Sequence, residues 1–290
     1  MFCFIQMRID SGQTHLLLSM PPRFWAAFFT ALILFTTGCA SGPPKLPYPA
    51  FVQVDELEDV FMASLPGVRA KQLSGDPQTR RTSNRVDLPS DWEGTSGGTP
   101  GRSTELFVVD GELTIADVSL RRGGYAYLPS GSLGFNLVAK EGARIMYFVN
   151  DTDPESVIRS PIIIDSALLD WEDTGRPGVA RKELRNDPGN GAKTWLVRVA
   201  TGASQAWESS SALREGYLVT GNQQYSECLN GKVYTWQYAP GGYVYRPAGT
   251  ISGGPDSHAL TDSIWLFRET TRGEVTSWPG CVVQQAADEF

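Results

Sequence analysis

The sequence predicts an all-β protein built from two similar barrel-sized units in tandem. The first observation is a duplicated stretch. Gly123-Gly-Tyr-Ala-Tyr-Leu-Pro-Ser-Gly131 and Gly241-Gly-Tyr-Val-Tyr-Arg-Pro-Ala-Gly249 agree at six of nine positions. Each reads as a Gly-Gly turn, a short aromatic strand and a Pro-x-Gly turn, with glycine supplying positive φ and proline presetting φ at the corner. The second observation is that the duplication runs on. Pro66-Gly-Val-Arg-Ala-Lys-Gln-Leu-Ser-Gly-Asp-Pro77 returns 111 residues later as Pro177-Gly-Val-Ala-Arg-Lys-Glu-Leu-Arg-Asn-Asp-Pro188, and Glu105–Gly111 returns in outline as Glu215–Gly221. A period this long marks a domain duplication rather than a solenoid. The third is the scatter of 30 glycines and 19 prolines between short apolar runs, the pattern of turn-rich β structure.

The N-terminal region reads as an export signal. Met20-Pro-Pro-Arg23 is a compact positive segment, and Phe24–Thr37 is an uncharged run of fourteen residues. That is short for a membrane span but right for a signal-peptide core. Thr36-Thr-Gly-Cys39 follows, a small-residue approach to a cysteine similar to the lipobox of bacterial lipoproteins, although Thr36 stands where Leu is preferred. Residues 1–39 are therefore expected to be a signal peptide, with Met20 as its expected start, and Cys39 the lipidated residue. An ordinary cleaved signal with an incidental cysteine is the alternative.

Residues 40–65 are expected to form a spacer and one short helix. Ser41–Pro49 is Pro-rich and so semi-rigid, and Val54–Leu65 mixes acidic and apolar residues. The first domain is expected over 66–165. Its strand candidates are Glu105–Val109, Glu112–Val118, Tyr125–Leu128, Gly134–Val138 and Arg144–Val149, then Ile162–Asp165. Asp110-Gly111 is read as a hairpin turn and Gly94–Arg102 as a flexible loop. The second domain, 166–290, has candidates Trp195–Ala200, Glu215–Thr220, Lys232–Tyr238, Gly242–Arg246 and Ser263–Phe267. The second copy of the nine-residue stretch lies 118 residues after the first, which places about eight extra residues in a longer hairpin between Gly221 and Gly241. Tyr234, Trp236 and Tyr238 alternate, so they share a face; they either fill the barrel or wall a ligand site.

A formal charge of −7 argues against nucleic acid as a partner, since that needs a basic face. Of four cysteines, Cys3 precedes the cleavage point and Cys39 is the anchor. Cys228 and Cys281 remain, and in an oxidising compartment they either close a disulfide or stay as buried thiols.

The Glu-x5-Gly and Gly-x5-Pro-x-Gly patterns, in two copies, resemble the paired motifs of a bicupin. The surrounding Pro-Gly-Val…Asp-Pro and Gly-Gly-Tyr-x-Tyr-x-Pro-x-Gly text is similar to the DUF4437 cupins, related to the metal-binding cupin of ChrR-type anti-sigma factors. The resemblance spans about residues 66–267 and implies two tandem cupin-like β-barrel (jelly-roll) domains. It also implies a metal held by three histidines and a glutamate, and pairing of two copies through sheet edges. This sequence departs from that ligand pattern. Thr99, Gly101 and Gly134 stand at the histidine positions of the first copy, and Ser209, Ser211 and Ser252 at those of the second. Only Glu105 and Glu215 remain, and His258 is the sole histidine besides His15. Hydroxyls are poor ligands for first-row metals, so no metal or other cofactor is expected.

The expected site is instead a polar patch in the second barrel, formed by Ser209, Ser211, Glu215 and Ser252 beside Tyr243 and Trp236, with Glu105 its counterpart in the first. It would take an unknown small polar molecule or a partner. The expectation is a lipid-anchored protein on the periplasmic side of the outer membrane and leans away from an enzyme. A metal-dependent cupin enzyme of dioxygenase or isomerase type, with an unusual site, is the alternative, and a purely structural envelope protein the third.

Cys39→Ser tests the anchor directly. The variant is expected to lose lipid labelling and to move into the soluble periplasmic fraction; retention on the membrane would point to another anchor.

Overall fold

The computed structural model describes residues 51–76, 79–97, 99–151 and 155–282. The expected signal, Cys39 and the Pro-rich spacer lie outside these. The described residues belong to one compact unit. Among the described residues every extended element is a strand, and the only helical turns are two short 3-10 turns at Val54–Glu56 and Ser166–Leu168.

The strands of the first half are β1 (Val52–Gln53), β2 (Arg69–Gly75), β3 (Thr82–Leu88), β4 (Trp92–Ser96), β5 (Arg102–Ile115), β6 (Val118–Arg121), β7 (Gly124–Leu128), β8 (Phe135–Ala139) and β9 (Ala143–Asp151). Then come β10 (Ile162–Asp165), β11 (Glu172–Asp173), β12 (Val179–Asn186), β13 (Lys193–Val199), β14 (Ser204–Ser210), β15 (Arg214–Thr220) and β16 (Gln223–Leu229). The last are β17 (Lys232–Tyr238), β18 (Gly242–Arg246), β19 (Ile251–Ala259), β20 (Ser263–Glu269) and β21 (Val275–Ser277).

The first barrel is one curled sheet, with the path β10-β7-β5-β9-β3-β2 on one face and β4, β8 and β6 on the other. The second packs a seven-stranded sheet, β1-β18-β15-β20-β13-β12-β11, against a five-stranded one, β17-β16-β19-β14-β21. Side-chain alternation divides the apolar residues into separate cores. Leu106 and Val108 of β5 point into the first barrel, and Leu218 of β15 points into the second. Phe107, Val109, Tyr217 and Val219 point the other way. They meet with Leu73, Met146, Leu184 and Leu266 in a core between the two barrels.

The two nine-residue stretches occupy equivalent places. Gly123 and Gly241 have φ of +90° and +89°, and the strands that follow pair with β5 and β15 in the same register, Tyr127 opposite Glu105 and Tyr245 opposite Glu215. The leader strands are exchanged. β1, ahead of the first repeat, pairs with β18 of the second, whereas β10, ahead of the second, pairs with β7 of the first. A 3-10 turn follows each leader, so the internal symmetry includes this exchange. The extra length of the second copy lies in the β16–β17 hairpin, which turns at Asn230 and Gly231, both with positive φ.

Three local expectations are corrected. Val54–Leu65 is not a helix beyond its first three residues. Val60 instead donates to the Ala70 carbonyl and Lys71 caps the Leu57 carbonyl. Val54 enters the core between the barrels while Met62 and Leu65 enter the first barrel, and no single helical face serves both. Asp110-Gly111 is not a hairpin. β5 runs through it with a register shift between Val108 and Asp110, and the chain turns later, at Ala116. Gly111 has φ +77° and its backbone passes so close to Gly142 that a Cβ would sit 2.4 Å from the carbonyl. It is therefore a bulge that carries β5 from one face of the barrel to the other. The start of the expected Gly94–Arg102 loop is strand, since β4 pairs with β8 over its whole length.

Cys228 and Cys281 are joined as a disulfide with Cα atoms 5.3 Å apart. The bridge holds the C-terminal tail, through Trp278 and Val282, over a small core of Trp207 and Ile251.

Candidate functional site

The polar centre of the molecule lies between the barrels. Glu105 is fully buried and Glu215 is 4% exposed. The glutamates stand two residues before Phe107 and Tyr217 on their strands, so they face the seam with them rather than the barrel interiors. Each takes a proton donor from its own repeat: Tyr125 Oη donates to Glu105 at 2.8 Å, and Tyr243 Oη to Glu215. Each also takes one from the other repeat. Thr194 Oγ1 donates to Glu105 at 2.5 Å, and Ser83 Oγ to Glu215 at 2.7 Å. Thr194 lies 111 residues after Ser83, so this exchange obeys the same internal symmetry as the strands.

One cation serves both carboxylates. Arg268 Nη1 donates to Glu215 Oε2 at 3.1 Å and Nη2 to Glu105 Oε1 at 3.4 Å, while Asn150 Oδ1 accepts a further bond. Sheet register makes Phe148 the counterpart of Arg268, because Phe148 pairs with Glu105 and Ser83 as Arg268 pairs with Glu215 and Thr194. The guanidinium lies 4.4 Å above that phenyl ring. Burial alone would raise the pKa of Glu105, but Arg185 and Arg268, with the Thr194 and Tyr125 hydroxyls, outweigh it and hold the carboxyl at about 2. Burial and the neighbouring carboxylates push Tyr125 and Tyr243 well above the ordinary phenol range, so both remain donors.

The expected constellation around Glu215 does not form. Its hydroxyl partners are Ser74, Ser83 and Tyr243. Ser209 accepts from Trp278 Nε1 at 2.9 Å, and exposed Ser211 accepts from the Glu274 amide. Ser252 lies on β19 opposite Glu208 and Glu227. Tyr243 is at the seam, and Trp236, 55% exposed, stacks on Phe51 with ring centroids 5.5 Å apart. Of the three alternating aromatics only Tyr238 enters a core. His258 lies on β19, with Nδ1 3.2 Å from the Asp256 carbonyl.

The barrel mouths carry different chemistry. The first is an open cavity of about 600 Å³ lined by Asn84, Ser96, Thr104, Arg102 and Tyr147, with no carboxylate among its walls. The second is a cavity of about 310 Å³. Its floor is a run of stacked rings, Trp195 on Phe267 at 5.8 Å and Phe267 on Trp265 at 5.6 Å, with Tyr225 edge-on to Trp265. At its rim Arg214 bridges two carboxylates, Glu208 at 3.2 Å and Glu269 at 2.9 Å. Lys193 pairs with Glu269 and Arg176 with Glu208. Trp265 Nε1 and Gln223 Oε1 have no hydrogen-bond partner among the described residues.

Neither mouth suits a transition metal. Among the described residues no three His, Cys, Asp or Glu side chains gather as a possible metal site. Glu208 and Glu269 are already bound by guanidinium and ammonium groups, and Glu227 by Arg246, which leaves these carboxylates few lone pairs for a metal.

A family described as "Domain of unknown function (DUF4437)" matches residues 53–272. The chain belongs to this DUF4437 family. Solved structures agree on the fold. A "putative dioxygenase" of Nostoc punctiforme is 19% identical with a TM-score of 0.64, covering 79% of this chain and 86% of its own. Protein Ylba of E. coli, assigned to DUF861, is 18% identical with a TM-score of 0.61 over 76% and 89%. The oxalate decarboxylase of Lactobacillus farciminis is 9% identical with a TM-score of 0.59 over 78% and 87%. No curated protein matches the chain. This DUF4437 member is thus an all-β bicupin, two tandem cupin-like barrels packed on a shared seam.

The sequence pointed to the two glutamates but not to their surroundings. Arg268 is the available signal, a charge on the face of β20 that also carries Ile264 and Leu266, whereas Arg185 follows a register shift among the charged residues of β12 and gives none.

The depressed pKa of Glu105 makes stability depend on pH. Because the folded value is about 2 against an ordinary 4.5, the charged carboxylate contributes a few kcal/mol above about pH 5, and this is lost as the pH falls toward 2. Glu105→Gln is expected to cost about 3–5 kcal/mol at pH 7, since it leaves Arg185 and Arg268 under-compensated. Urea titrations at pH 7 and pH 3 should show that difference shrinking; a pH-independent difference would contradict the assignment.

Proposed function

We propose that this bicupin is a lipid-anchored envelope protein that binds a small polar molecule in the mouth of its second barrel without a transition metal. The observation that carries the reading is the floor of stacked rings in that mouth, beside two buried wall atoms, Trp265 Nε1 and Gln223 Oε1, that lack a partner among the described residues. Burying a polar atom without a partner costs about 1–3 kcal/mol, which a ligand reaching both atoms would recover. The ring floor suits a flat face, as one side of a sugar ring presents. Arg176, Arg181, Lys193 and Arg214 line the mouth against Glu208, with Glu269 behind them, a positive excess that favours a neutral or acidic ligand over a cationic one.

The decarboxylase and dioxygenase assignments of the structural neighbours come with a shared fold at low identity. The residues here do not supply the ligand set that such metal chemistry needs. Export and anchoring rest on the Phe24–Thr37 run and Cys39, and the bridged cysteines suit an oxidising compartment.

Tryptophan fluorescence titrated with glucose and glucuronate tests the pocket. Saturation is expected with at least one of them, unchanged by EDTA. Trp265→Phe, which keeps the ring but removes the N–H, should weaken it roughly tenfold, and Trp236→Phe should not. One equivalent of transition metal retained through purification, or equal effects of the two tryptophan changes, would contradict the proposal.

A further inference from the structure

A third cavity, of about 250 Å³, opens at one end of the seam and is walled by both repeats. Four of its lining residues are arginines: Arg81, Arg159, Arg185 and Arg268. The only lining acid among the described residues is Asp151. Behind the wall, Glu105 shares Arg185 and Arg268, and Glu215 shares Arg268. Asp187, close to Arg185, is occupied by the Ser156 hydroxyl and the amides of Val157 and Gly189.

Arg185 is only loosely held by the seam. It is 6% exposed, stacks 4.4 Å over Tyr127, makes no hydrogen bond to any described residue and reaches Glu105 only at 3.7 Å. Its Nε and that of Arg268 are both buried without a partner. The opposite end of the seam shows what the lock alone needs. There Ser74 stands at the position of Arg185, 111 residues earlier, and donates directly to Glu215 at 2.8 Å. Phe148 stands there in place of Arg268. At that corner Glu215 is held by a serine and its share of Arg268, whereas this one holds a second guanidinium, Arg185, beside Arg268.

We propose that this end of the seam is a binding site for the oxyanion of a small molecule, a phosphate or carboxylate group held by Arg185, Arg268, Arg81 and Arg159. Guanidinium forks match both groups in bidentate fashion and lose little entropy in doing so. Ser103, Ser130 and Asn190 on the same walls are placed to receive the remainder of the ligand. The site is independent of the second-barrel pocket. It draws Arg81 and Ser103 from one repeat and Arg185 and Arg268 from the other, so an occupant would bind both repeats at once.

Isothermal titration calorimetry of the purified protein with inorganic phosphate and with succinate, at low ionic strength, tests this. One saturable site is expected for at least one probe, and which one saturates separates a phosphoryl ligand from a carboxylate. Arg81→Ala and Arg159→Ala, both at the cavity mouth, should each weaken it about tenfold, the worth of one charge-assisted hydrogen bond. Arg185→Ser, which copies the opposite corner, should abolish it. Arg121→Ala, on an exposed hairpin, should leave it unchanged and controls for lost charge. If Arg185→Ser unfolds the protein, the two mouth variants decide. Failure of both probes to saturate, equal losses in Arg121→Ala and Arg159→Ala, or undiminished binding in a folded Arg185→Ser would overturn the assignment.

Discussion

Arg268 sits between two carboxylates from different repeats, and the rest of the seam is arranged around it. A buried ion pair has to offset the desolvation of every charge in it, and does so only with good geometry and satisfied lone pairs. Here the tyrosine hydroxyls, the exchanged Thr194 and Ser83 hydroxyls and Asn150 supply the additional bonds. Removing Arg268 would leave Glu215 without a cation among the described residues and Glu105 with only Arg185, at 3.7 Å. The seam ties the two repeats at one point, because Glu105 and Glu215 reach the same guanidinium.

The internal symmetry explains why a single arginine is enough. Duplication gave each repeat a glutamate, a tyrosine and a hydroxyl aimed at the other's glutamate. Two arginines at the Phe148 and Arg268 positions would place like charges against one another at the centre of the seam. With phenylalanine at one of them, the remaining guanidinium has a ring face to stack on and both acids within reach. The exchanged leader strands act in the same direction, since β1 and β10 each extend a sheet of the opposite repeat. Both devices make the folding of one barrel depend on the other.

Much of the fold was legible in the sequence because duplication writes itself at matched spacing. The Gly-Gly-Tyr stretches, the long β16–β17 hairpin and the strands Ile162–Asp165, Lys232–Tyr238 and Gly242–Arg246 follow from local signals alone. Asp110-Gly111 misled because positive φ serves a bulge as well as a turn, and only the approach of Gly142 decides between them. Glu105 and Glu215 were identified as functional positions, but the facing direction expected of them was wrong. Strand parity fixes which residues share a face and leaves open which face is inside, and here both faces of β5 and β15 are buried. Ser209, Ser211 and Ser252 follow from motif spacing, yet Ser209 and Ser252 lie on the five-stranded sheet and Ser211 just past β14, with Ser209 and Ser211 bonded to the C-terminal segment. The stacked rings of the second barrel come from β13 and β20, strands without a motif, and only packing brings them together.

The central claim is that the seam makes two barrels fold as one. Differential scanning calorimetry tests it most directly, by comparing the calorimetric enthalpy with that implied by the steepness of the transition. A single transition with a ratio near unity is predicted, splitting into two when Arg268 is replaced by Ala. Two separate transitions in the unaltered protein would contradict the account.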